Sequence, residues 1–132
     1  DMTLIVRDDG SPYIAGDDLD IERDVTGVTV TDPIVEAWLT FKLAPTVADP
    51  GSLQKAITTT PVAGSGQITQ DGSVSDGNGT ASLLFQLTSA DTLALGSLWY
   101  VYDIQVETSD GKLRTVDGGA MRLSAEITGA TS

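Results

Sequence analysis

From Leu98 to Glu107 the chain reads LWYVYDIQVE, and its side chains sort cleanly at a period of two. Leu98, Tyr100, Tyr102, Ile104 and Val106 fall on one face of a strand, and Trp99, Val101, Asp103, Gln105 and Glu107 on the other. The same alternation recurs in 35–43, where Val35, Ala37, Leu39, Phe41 and Leu43 face inward while Glu36, Trp38, Thr40 and Lys42 face outward. It appears again in 80–87, with Ala81, Leu83, Phe85 and Leu87 inward, and in 120–127, with Met121, Leu123, Ala125 and Ile127 inward. A chain that repeats this pattern must lay one face of each strand on a shared core and leave the other to solvent or a partner. Antiparallel sheets packed as a sandwich satisfy that demand.

Gly, Pro, Asp, Asn and Ser clusters punctuate the apolar segments at short intervals, as in an all-β domain. The pattern predicts strands near 3–7, 18–22, 26–31, 35–43, 66–70, 80–87, 98–107, 112–116 and 120–127, with a further candidate at 53–58. The Ser-Asp-Gly of 109–111 predicts a hairpin joining 98–107 to 112–116. One segment departs from alternation. Thr88 or Ser89 can cap a helix, Thr88 and Asp91 have the spacing of a capping box, and Gly96 is a natural stop. A short helical turn near 89–95 is expected across one end of the sandwich, with Leu93 and Leu95 plugging the core. The 132 residues suit a single β-sandwich domain, with residues 1–15 read as an N-terminal arm. The stretches 43–52 and 58–66 are read as long polar connections.

Composition removes whole classes of chemistry. There is no cysteine and no histidine, so no thiolate nucleophile, no Ser-His or Cys-His arrangement and none of the commonest metal ligand. The net charge of −12 opposes nucleic acid and anionic membranes as partners. Ten acidic residues lie in the first 36 against Arg7 and Arg23 alone, so a partner met by this third is expected to be basic or neutral. The groups RDDG (7–10) and GDDLDIE (16–22) could gather oxygen ligands for calcium, but neither keeps the spacing of an EF-hand loop. Alternation of Asp18 and Asp20 with Leu19 and Ile21 is ordinary solvated strand patterning. Pairs of carboxylates abound among nineteen acids and carry no specificity for glycoside hydrolysis. No catalytic residue, cofactor or metal site is expected.

The outward parity of Trp38 and Trp99 is the feature left to explain. In immunoglobulin-like sandwiches the third-strand tryptophan faces inward, so a shifted register is one reading. If the parity holds, two large apolar groups need cover from a loop or another chain, and the two kinds of cover stand equal. Strands 35–43 and 98–107 pair in such folds, which would bring Trp38 and Trp99 together on one outer face beside Val101. These three residues are the interface candidates.

The segments GDDLDIERDVTG, EAWLTFK, GNGTASLLFQLTSADTLAL and WYVYDIQVETSDGKLRTVDGGAMRLSAEIT follow one another in this chain. In that order they resemble the N-terminal domain of upper-baseplate and tail-fibre proteins of tailed phages. The matching positions are Gly16-Asp17, Lys42, Gly79, Thr88–Thr92, Tyr100–Gln105 and Gly119 through Thr128. The resemblance implies an immunoglobulin-like sandwich without enzymatic activity, present in several copies as a homo-oligomer in a symmetric particle. Its partners would be other phage structural proteins, and its location the virion, assembled in the host cytoplasm. Because the chain ends at Ser132, where such domains lead into a stalk, a free-standing adaptor or decoration module is expected. The alternatives are a carbohydrate-binding sandwich, favoured by a coplanar Trp38/Trp99 platform, and a capsid decoration or cement protein. A secreted or adhesin-type module is weakened by the lack of a basic-then-apolar leader.

Overall fold

The alternating segments build two sheets in the computed structural model, which describes residues 2–4 and 14–124. The elements are β1 (Met2–Leu4), β2 (Leu19–Val25), β3 (Ile34–Lys42), β4 (Leu53–Ile57), β5 (Gly66–Ser73), β6 (Asp76–Leu87), α1 (Ser89–Leu95), β7 (Tyr100–Thr108) and β8 (Leu113–Met121). One sheet has the order β1-β8-β7-β3-β4 and the other β2-β6-β5. All pairings are antiparallel except β1 with β8. In immunoglobulin letters β2 to β8 are B, C, C′, D, E, F and G, with β1 lying along G. The fold is an immunoglobulin-like β-sandwich.

Between the sheets lies one core. Ala37, Leu39 and Phe41 of β3, Leu83, Phe85 and Leu87 of β6, and Tyr102, Ile104 and Val106 of β7 are all buried. Phe41 packs edge-on against Tyr100 and tilted against Tyr102, with ring centroids 6.5 and 6.1 Å apart. Gly66 opens β5 at φ +119°, and a Cβ there would lie 1.9 Å from the Leu84 carbonyl oxygen, so only glycine fits.

The helix forms as its capping signals require. Thr88 Oγ1 accepts from the Asp91 N–H at 3.2 Å, and the Asp91 carboxylate accepts from the Thr88 N–H at 2.8 Å. Gly96 ends it. Lys55 Nζ of β4 reaches the same Asp91 carboxylate at 2.8 Å and also donates to the Gly64 carbonyl, tying the helix start to β4 and to the connection ahead of β5. Burial raises the Asp91 pKa, but the Lys55 and Thr88 hydrogen bonds outweigh it and leave the group below its usual value. At the start of β7 the buried Tyr100 hydroxyl donates to the Leu95 carbonyl at 2.6 Å. This is the tyrosine corner of immunoglobulin-like folds. Across the sandwich, Arg23 of β2 meets Asp117 of β8 at 2.7 Å, and the Tyr102 hydroxyl approaches the same oxygen at 3.5 Å.

Several expectations need correction. Residues 26–31 form no strand; Thr26 to Thr29 run without regular structure into a turn, where Asp32 N–H bonds the Thr29 carbonyl. The break expected between 112–116 and 120–127 is not there: Leu113–Met121 is one strand, β8, because the Ile104/Gln105 bulge lets pairing with β7 continue past Asp117 and Gly118, and Arg122 and Leu123 follow it without strand structure. Val35 and Leu43 are exposed although their parity is inward. Another bulge between Ile34 and Glu36 moves Ile34 into the core instead of Val35, and Leu43 lies beyond the last ladder pair. Leu98 likewise precedes β7 and is exposed. On the helix only Leu95 plugs the core, while Leu93 points to solvent. The 53–58 candidate is real and supplies the edge strand β4. The Asp8-Asp9 pair, residues 5–7 of the first expected strand, Ala125 and Ile127 lie outside the described residues.

Candidate functional site: the outer face of the five-stranded sheet

The parity of both tryptophans is as read from the sequence. Ala37 and Leu39 are fully buried, and Trp38 between them projects half-buried from the outer face. Trp99 lies just ahead of β7 and is 52% exposed. A shifted register is thereby excluded. Strands β3 and β7 are neighbours, as expected, but the tryptophans are not. Trp38 pairs with Gln105, whereas Trp99 lies beyond the last pair, Lys42–Val101. Six residues of strand separate them, about 20 Å at roughly 3.3 Å per residue. The Trp38/Trp99 platform that would favour sugar binding does not form, because antiparallel pairing sends equal offsets in opposite directions.

Cross-strand register lays the outer face out in rows. Leu113, Glu107 and Glu36 form the first; Thr115, Gln105, Trp38 and Ala56 the second; Gly118, Asp103, Thr40 and Gln54 the third; Ala120, Val101 and Lys42 the fourth. Val101 is half-buried, and Pro45 of the 43–52 connection lines a cleft with it. The same connection supplies Asp49, whose carboxylate lies 2.8 Å from Lys42 Nζ. Part of the cover expected for this face is therefore intramolecular, and it falls over Val101 and Lys42 rather than over either indole. Asp103 sits between Thr40 and Gly118 in the third row. Partial burial lifts its pKa, Lys42 opposes the rise, and Asp49 adds to it.

Trp99 belongs to the end of the sandwich, where β3 finishes and β7 begins. Leu43, Val47, Leu93 and Leu98 are exposed there too, at 40–59%. Arg122 stands over the Trp99 ring at 5.3 Å from its centroid, a cation set on the aromatic face. At the opposite end the 26–33 connection meets the β7–β8 hairpin in a cleft whose two cations, Lys112 and Arg114, are matched by Asp32 and Asp110. Among the described residues no three carboxylates gather as a cation site. Asp18 instead accepts a hydrogen bond from the Ser89 N–H at 2.7 Å, close to the helix start.

Three features were not singled out from the sequence. Asp103 and Gln105 showed outward parity, but their importance depends on what faces them. Gly118 was invisible as a partner of Asp103, since the bulge that sets this register leaves no local signal. The Arg122 contact joins segments that only the β7–β8 pairing brings together. Comparison of the chain with protein-family models, with curated proteins and with solved structures gives no match.

Proposed function

We propose that this chain is a non-enzymatic structural protein of a bacteriophage virion, a small β-sandwich module that docks on other tail, baseplate or head proteins. The observation that carries the reading is the apolar end around Trp99. The tryptophan stands 52% exposed, with Leu98 at 55% and Leu43 at 58% beside it, although the core is already filled without them. Large rigid side chains left in solvent are costly to keep and well suited to anchor an interface. A chain of net charge −12 also resists indiscriminate association, so an apolar end is a selective contact. The phage assignment itself rests on the resemblance of residues 16–128, and the absence of histidine and cysteine from the sequence agrees with a non-enzymatic role.

The test is quantitative mass spectrometry of gradient-purified particles from the producing host. The reading expects the chain at a fixed ratio to the major tail or capsid protein, and immunogold labelling then distinguishes a tail from a head position. Particles that are infectious and free of the chain would overturn it.

A further inference from the structure

The separation of the two tryptophans leaves Trp38 in a surface feature of its own. It lines a groove of about 390 Å³ on the outer face, a size within the range of small-ligand sites. Leu113 bounds one end, and the Lys42–Asp49 ion pair bounds the other. The side of the groove formed by β8 is low because Gly118 stands opposite Asp103 with no side chain.

Inside it, Asp103 and Gln105 project from the same face of β7, two residues and about 6.6 Å apart. Neither side chain hydrogen-bonds to any described residue. Gln54 donates its Nε2 to Thr40 Oγ1 at 3.0 Å, and its amide oxygen has no hydrogen-bond partner among the described residues. An aromatic side chain thus stands beside planar groups whose polar atoms are not taken by the protein.

We infer that this groove binds a neutral oligosaccharide, with a sugar ring against Trp38 and its hydroxyls on Asp103 and Gln105. A carboxylate or carboxamide presents two polar atoms in one plane, which matches neighbouring hydroxyls on a pyranose ring. The C–H face of the same ring packs on an indole, so one residue supplies apolar area while the others fix orientation. The groove extends over the four rows, about 20 Å along the strands, so several linked rings fit better than one. Charge decides against acidic sugars and phosphates. Lys42 is the one cation lining the groove; it is paired with Asp49 and offsets Asp103 only in part, while Glu36 and Glu107 have no cation among the described residues. An anionic ligand would meet repulsion there.

This inference stands apart from docking through the Trp99 end, and its test does not involve particles. In the Trp99→Phe variant Trp38 is the single tryptophan, so its emission reports on the groove. The variant is titrated with cellohexaose, maltohexaose, mannohexaose and chitohexaose, and with hexagalacturonate as the acidic control. The expected result is a saturable change with at least one neutral oligosaccharide and none with hexagalacturonate. Calorimetry on the wild-type protein should give the same affinity. Asp103→Ala and Gln105→Ala, both at solvent-accessible positions, should each weaken binding about tenfold with circular dichroism unchanged, the effect of losing one strong hydrogen bond. Absence of a response to all four neutral sugars at millimolar concentration would overturn the inference. So would binding that survives both alanine variants unchanged.

Discussion

The Arg23–Asp117 pair is the contact through which the two sheets are held together by charge, and its energy can be worked from its geometry. The residues are 94 positions apart in sequence, their bond is 2.7 Å long, and their side chains are 20% and 11% exposed. Removing one partner of a fully buried pair costs about 3–5 kcal/mol, because the other charge is stranded. The solvent that both groups still touch lowers that figure, so Asp117→Asn should cost about 2–3 kcal/mol. Arg23 would then keep the Glu22 carbonyl at 2.7 Å and its contact with Tyr102, with a neutral amide oxygen in place of the carboxylate. Arg23→Met strands the Asp117 carboxylate, which retains the Gly118 N–H at 2.8 Å and the longer Tyr102 contact. The double variant should therefore lose less than the sum of the two, with a coupling of about 1.5–2 kcal/mol. Urea unfolding of the four proteins at pH 7 measures it, provided the slopes agree. A coupling under about 0.5 kcal/mol is what an exposed pair gives, and it would refute the role assigned to this bridge.

Other outcomes follow from the core and the helix cap. Phe85 is fully buried between Ile21 and Gly66 in the three-stranded sheet, so Phe85→Ala should cost about 3–5 kcal/mol in the same assay. Tyr100→Phe leaves the Leu95 carbonyl without its donor and should cost about 1–2 kcal/mol, whereas a neutral effect would mean that water replaces the corner bond. Asp91 is held below its ordinary pKa in the fold, so its contribution is present above the unfolded value of about 3.9 and is lost as pH falls through the folded one. Melting temperature should drop over that acid range in the wild type, and Asp91→Asn should be less stable at pH 7 but flatter below pH 4. If the acidic N-terminal third meets a basic partner beside the Trp99 contact, attachment to particles should weaken as salt rises, and a salt-independent attachment measured by sedimentation would contradict that expectation.

Alternation made the sandwich legible because a half-buried strand writes its burial into every second residue. That is why β3, β6 and β7 could be placed from Leu39, Leu83 and Tyr102 outward, and why the outward parity of Trp38 and Trp99 was readable. The helix was legible for a different reason: Thr88, Asp91 and Gly96 make their bonds within the segment itself. Strand ends and bulges were not, since they depend on a partner. Val35 differs from Ile34 only through a bulge against β7, and the continuity of β8 depends on the bulge at Ile104/Gln105. Distance along a sheet was the most consequential loss. Shared parity placed Trp38 and Trp99 on one side, but the register that separates them belongs to the β3–β7 ladder and to neither strand alone. Asp103 became informative only once Gly118 was found opposite it.

The claim that the Trp99 end docks this module in a particle is tested most directly by copy number. Particles are produced with the chain supplied as wild type, as Leu98→Ser/Trp99→Ser, or as Trp38→Ser, and each is quantified by mass spectrometry against the major structural protein. Loss of the Trp99 ring forfeits the Arg122 contact, worth about 0.5–1 kcal/mol at an exposed site, so the purified double variant should melt within a few degrees of wild type. The account predicts that this folded variant is largely missing from particles while Trp38→Ser is incorporated normally. A folded Leu98→Ser/Trp99→Ser variant found at full copy number would contradict it.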